Sequence, residues 1–108
     1  MSNNANEAVV ILSKLGTPVE AGVGSPLALR IVLKDTADLT EHRFSEEFID
    51  ERVSQLNSGS AFSSELAKLE IFSEYELAVI TAYESGGSLG YGLTALVDEY
   101  VLLNSIGA

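Results

Sequence analysis

Helix start and stop signals recur at short intervals along this chain, and their spacing limits what it can build. Ser73-Glu-Tyr-Glu76 is a capping box, in which a serine side chain and a glutamate three residues later satisfy each other's backbone N–H groups. Ser45 followed by Glu46 and Glu47 is a second N-cap, with acids at the positive end of the coming helix. Asn57-Ser-Gly-Ser and Ser85-Gly-Gly-Ser-Leu-Gly-Tyr-Gly read as loops between periodic segments. The expected fold is all-α, a compact bundle of four to six short helices.

Periodicity places those helices. Residues 5–15 form the first, with Val9, Leu12 and Leu15 at helical spacing and Lys14-Leu15-Gly16-Thr17-Pro18 as its stop. Residues 16–24 are then a loop. From Ser45 to Leu56, the residues Phe48, Ile49, Val53 and Leu56 share one face. Ser63 or Ser64 begins another helix, with Leu66 and Leu69 inward. The helix opened by Ser73 runs to about Glu84. Tyr75, Ala78, Val79, Ala82 and Tyr83 form one stripe of it, and Leu77 and Ile80 add a second apolar side, so this helix is expected to be central. The last helix carries Leu93, Leu96, Val97, Tyr100, Val101 and Asn104 inward, with Asp98 and Glu99 outward. Two segments also fit strands. Leu27, Leu29, Ile31 and Leu33 fall on every second position, and Val79-Ile-Thr81 is β-branched. The alternative fold is therefore α+β, with strands at about 27–34 and 75–83. Ser25-Pro26, an N-cap followed by proline at the first helical position, favours helix over 25–35.

The charge is as uneven as the hydropathy. Of 108 residues, 16 are acidic and 6 basic, a net charge of −10. Up to residue 34, Glu7 and Glu20 face Lys14, Arg30 and Lys34, which leaves +1. Fourteen acids against Arg43, Arg52 and Lys68 leave −11 on the rest. Thirty-four residues rarely fold alone, so the organisation expected is one domain over 1–108, with a near-neutral apolar segment 1–34 and an acidic helical body 35–108. That charge disfavours direct binding to nucleic acid or to an anionic membrane surface. Met1-Ser-Asn-Asn lacks the basic and apolar regions of a signal peptide, and the uncharged stretch Ser85–Val97 is too short to span a bilayer. A soluble, cytoplasmic protein without a membrane partner is expected.

The residues that could carry chemistry form no complete set. The absence of cysteine removes thiolate nucleophiles and thiolate metal sites. His42, in Asp38-Leu-Thr-Glu-His-Arg-Phe44, could act as a base oriented by Glu41 or Asp38, but no nucleophile is marked beside it. The acids from Asp35 to Glu51 fail the calcium-loop pattern, because Ala37 and Leu39 stand where oxygen ligands belong. One histidine cannot furnish the paired Glu-x-x-His motifs of a di-iron site. The glycines at 86–92 lack a P-loop lysine. No catalytic, metal or cofactor-binding residue is assigned. The acids read as a solvated face, with Arg43 and Arg52 as counter-ions.

A mean hydropathy of +0.22 beside a charge of −10 implies apolar surface that short helices cannot all hide. The function expected is a non-enzymatic helical interaction or assembly subunit, bound to a protein partner or to itself. Contact residues are expected at Leu89, Tyr91 and Tyr100, and among the acids Asp35, Asp38, Glu41, Glu46, Glu47 and Asp50. One alternative is an acidic inhibitor that occupies the basic groove of a nucleic-acid-binding protein. Another is a small-ligand or enzymatic pocket near His42.

Overall fold

A computed structural model describes residues 3–35 and 44–107, with side chains over 7–35 and 44–102. The described residues are all-helical, with six helices among them: α1 (Asn3–Glu20), α2 (Ser25–Asp35), α3 (Glu46–Asn57), α4 (Phe62–Ala67), α5 (Glu74–Ser85) and α6 (Leu89–Gly107). No strand occurs among the described residues, and the strand alternatives at 27–34 and 75–83 both resolve as helix. In a helix the alternate leucines of α2 spread around the axis. Leu29 and Leu33 enter the core with Ala28 and Val32, while Leu27 and Ile31 point outward.

Each helix packs on the next along the chain, and α1 packs most extensively on α6, which closes the bundle into a ring. The core draws on every helix, with Ile11, Leu15, Leu29, Ile49, Phe62, Leu66, Ile80, Leu93 and Leu96 in one continuous cluster. Glycines permit the closure. A Cβ added at Gly90 would lie 2.7 Å from Cα and N of Glu20, and one at Gly16 would lie 2.8 Å from Thr94 Cγ2. These pairings run in opposite directions along the two helices, so α1 and α6 are antiparallel. On the other flank of α6, a Cβ at Gly92 would sit 2.6 Å from Tyr83 Cβ of α5.

This packing explains two departures from the sequence reading. α1 does not stop at Gly16; it runs on to Glu20, through both Gly16 and Pro18. Gly16 is a packing residue beneath α6 and not a helix terminator. The turn comes later, where Val23 N donates to Pro18 O and Gly22 takes φ +97°. Likewise α6 begins at Leu89, inside the glycine-rich stretch, because Gly90 and Gly92 are needed against α1 and α5. α5 is not central. Only Glu76 and Ile80 of its residues are buried, and Tyr75, Ala78 and Ala82 face outward. The capping box at Ser73 forms as expected, with Glu76 N donating to Ser73 Oγ at 3.1 Å and Ser73 N donating to Glu76 Oε1 at 2.7 Å. Glu76 is buried because that bond holds it there.

Two more acids serve the fold. α4 starts at Phe62 after Ala61, a residue with no side chain able to cap. Its cap comes from another helix: the Glu84 carboxylate of α5 accepts from Phe62 N and Ser63 N. Glu65, fully buried, faces Arg52 of α3 at 3.3 Å and accepts from Ser60 Oγ at 2.6 Å and from Lys68 Nζ at 3.3 Å. The Arg52 guanidinium also stacks 4.7 Å above the Phe48 ring. Arg52 is thus a buried partner for Glu65 at the α3–α4 junction, and it also pairs with the exposed acid Glu51 at 3.4 Å, as the counter-ion reading expected.

Three outcomes follow from this packing. Gly90→Ala gains about 1 kcal/mol in helix propensity but meets backbone that cannot swing aside, an overpacking cost of about 1–3 kcal/mol. Net destabilisation in urea unfolding is expected. Glu65→Ala strands the Arg52 charge and should cost about 3–5 kcal/mol, with much of the loss recovered when Arg52→Met is added. Tyr75 donates to both Glu99 oxygens at 3.1 Å. That hydrogen bond, reinforced by the carboxylate charge, raises the phenol above its ordinary value of 10.0. Its contribution to stability is complete below that value and is lost as pH climbs through the raised one. Ultraviolet titration should show Tyr75 ionising late, and Glu99→Gln should lower its pKa toward the ordinary value.

Candidate interaction surface

α1 and α2 are joined by the short turn Ala21–Gly24 and lie side by side. Between them runs an open groove of about 340 Å³, lined by Ser13, Thr17, Pro18, Ala28, Ile31 and Val32, with Lys14 and Asp35 at its edge. Pro18 shapes it. A proline ring within a helix crowds the preceding turn, and Pro18 has no N–H to offer the Lys14 carbonyl. The groove therefore combines the apolar residues Pro18, Ala28, Ile31 and Val32 with the polar residues Ser13 and Thr17.

α2 supplies the ridge beside this groove. Leu27 and Ile31 are one helical turn apart and are 55% and 53% exposed. The polar residues flanking them are held by ion pairs to α3: Arg30 Nη1 to Asp50 at 2.6 Å, and Lys34 Nζ to Glu46 at 2.8 Å. Lys14 and Asp35 approach only to 4.0 Å, and both are substantially exposed. The result is a near-neutral apolar strip whose borders are oriented by charge pairs. Such pairs add little stability at the surface, but they hold the long side chains of Arg30 and Lys34 toward α3.

The contact residues expected from sequence do not converge on one site. Leu89 and Tyr100 are half-buried against the core. Tyr91 is exposed, its ring set edge-on to Tyr83 with centroids 5.8 Å apart. Asp35, Glu46 and Asp50 are engaged by the three cations just named, and Glu47 is exposed on the first turn of α3. Asp38 and Glu41 lie outside the described residues, as does His42 with the pocket proposed beside it. Among the described residues no group of three His, Asp or Glu side chains converges to hold a metal ion. Sequence reasoning missed Leu27, Ile31 and the groove. The signal was there: α2 is apolar on more than one side, and a helix at the rim of a bundle can bury only one of them.

Tyr75, Val101 and Leu102 form further exposed apolar surface on α5 and α6. No described helix is long and apolar enough to cross a membrane.

Comparison with known proteins supplies the context. Residues 11–104 match the family model described as Type II secretion system (T2SS), protein F. No curated protein and no solved structure matches the chain. The domain occurs in inner-membrane components of secretion systems, which partner with other components of the machine, and the family is not one of enzymes. Two expectations are corrected by this match: a cytoplasmic protein, and one without a membrane among its partners. Composition misled because net charge describes the face shown to solvent and is silent on the assembly to which a domain is attached. From α1 through α6, the chain belongs to the type II secretion system protein F family.

Proposed function

We propose that this chain is a non-catalytic assembly domain of a membrane-associated secretion machine, and that it docks protein through the α1–α2 face. The observation that carries this reading is the exposed pair Leu27 and Ile31 beside the groove at Pro18. Large aliphatic side chains that flank a groove, edged by oriented charges, have the layout of an apolar interface centre with a polar rim. Family membership supports the setting, since the family is one of secretion-system components and not of enzymes. Tyr91, exposed at the start of α6, is a second contact in this reading, and Glu47 belongs to the polar rim together with Asp35, Glu46 and Asp50.

The acidic-inhibitor reading has less support. Three acids of the array it needs already have cationic partners within the chain, and a basic groove would have to displace them.

The test is a double variant, Leu27→Glu with Ile31→Glu, in the full chain. Both sites are exposed, so unfolding stability should stay within about 1 kcal/mol of wild type. Co-purification with the other secretion-system components from detergent-solubilised membranes should be lost. Undiminished recovery of the complex would overturn the reading. Tyr91→Ser should weaken recovery by a smaller factor.

A further inference from the structure

We propose that α4 is a latch: residues 60–69 swing away from α3 and α5 as one unit, hinged at Gly59 and Glu70, while the rest of the bundle stays folded.

Nothing local holds this segment closed. Six residues are too few for a helix to persist without tertiary support. Ala61 offers no side-chain cap, so Phe62 N and Ser63 N depend on the Glu84 carboxylate of α5. When Glu84 lets go, those two donors have only water to turn to. At the other end Lys68, Leu69 and Glu70 donate to the carbonyls of Glu65, Leu66 and Ala67, the tightened pattern of a helix at its end. Glu70 then takes φ +61°, the left-handed region in which a side chain is strained, and among the described residues it alone does so without being glycine. Gly59 turns the chain at the entry, at φ +104° with no atom within 4 Å of an added Cβ.

The middle of α4 gains less from closure than its burial suggests. Glu65 and Arg52 are both withdrawn from water, yet Glu65 Oε1 and Arg52 Nε have no hydrogen-bond partner among the described residues. Both charges recover their hydration when the segment leaves, which offsets part of the cost of exposing Phe62, Leu66 and Leu69. The neighbouring helices do not need α4 in place. α3 packs more extensively on α2 than on α4, and α5 packs more extensively on α6, where Tyr83 lies against Gly92. The α1–α6 contact that closes the ring is untouched. Opening therefore breaks one link of the ring and leaves both flanking helices docked. It also turns Phe62, Leu66 and Leu69 into an apolar strip that the closed state hides.

The test is native-state hydrogen exchange of the full chain, read amide by amide by NMR in dilute urea. Amides of residues 62–69 are expected to be about a hundredfold or more less protected than the core amides of α1 and α6. Their exchange should depend only weakly on urea, because the latch exposes far less surface than global unfolding does. Two substitutions move the latch in opposite directions. Glu84→Gln keeps an acceptor but loses its charge, and should speed exchange in α4 about fivefold. Glu70→Gly relieves the left-handed strain and should slow it about threefold. Gly90→Ala is the control, since the α1–α6 contact it weakens survives in the open state. It should speed exchange in α1 and α6 and leave α4 at the wild-type rate.

Equal protection and equal urea dependence in α4, α1 and α6 of the wild-type chain overturn the latch, with no variant needed. So does a Gly90→Ala chain in which α4 quickens by the same factor as α1 and α6, or a Glu84→Gln chain in which α4 exchange is unchanged.

Discussion

The approach of α6 to α1 is the constraint on which the other elements depend. Backbone passes close to backbone where Gly90 meets Glu20, with no room for a Cβ between them. Gly16 under Thr94 and Gly92 beside Tyr83 extend the same closeness along the helix and to its other flank. Because α1 is the first described helix and α6 the last, this contact closes a ring in which each helix between them packs mainly on its chain neighbours. It also settles the course of α1. Docked along α6, the helix continues through Gly16 and Pro18, and the proline becomes part of a groove wall and not a terminus.

Acidic residues take structural roles that the net charge conceals. Glu76 completes a capping box, Glu84 caps α4 from a neighbouring helix, and Glu65 lies in the core facing Arg52. Each neutralises a set of N–H donors or a buried cation, as a carboxylate removed from water must. Part of the acidity is therefore internal framework. On the α2–α3 surface Asp35, Glu46 and Asp50 are matched by cations, which leaves the α1–α2 strip near neutral and apolar.

Much of the fold was legible because local rules agreed with the tertiary outcome. The Ser45 N-cap and the Ser73 capping box are satisfied within four residues, so their physics is complete in the sequence. Ser25-Pro26 argued for helix and the helix is present. The candidate surface was read less well. Exposure of Leu27 and Ile31 depends on which side of α2 the core claims, and α2 is apolar on more than one. Family membership lay beyond local rules altogether, since no short motif carries it; the match rests on a pattern spread over residues 11–104.

The sequence by itself determined the expectation of a short-helix bundle, the starts of α3 and α5, the absence of cysteine chemistry and the split between a near-neutral first third and an acidic remainder. Only the tertiary structure decided that Gly16, Gly90 and Gly92 are packing residues, that Arg52 is buried opposite Glu65, and that Glu84 caps a helix other than its own. The physical reason is range. Caps and periodicity act over one or two turns, and a sequence displays them directly. Glycine's missing side chain and a carboxylate's choice of partner acquire meaning only when a second helix arrives, and which helix arrives is a property of the whole bundle.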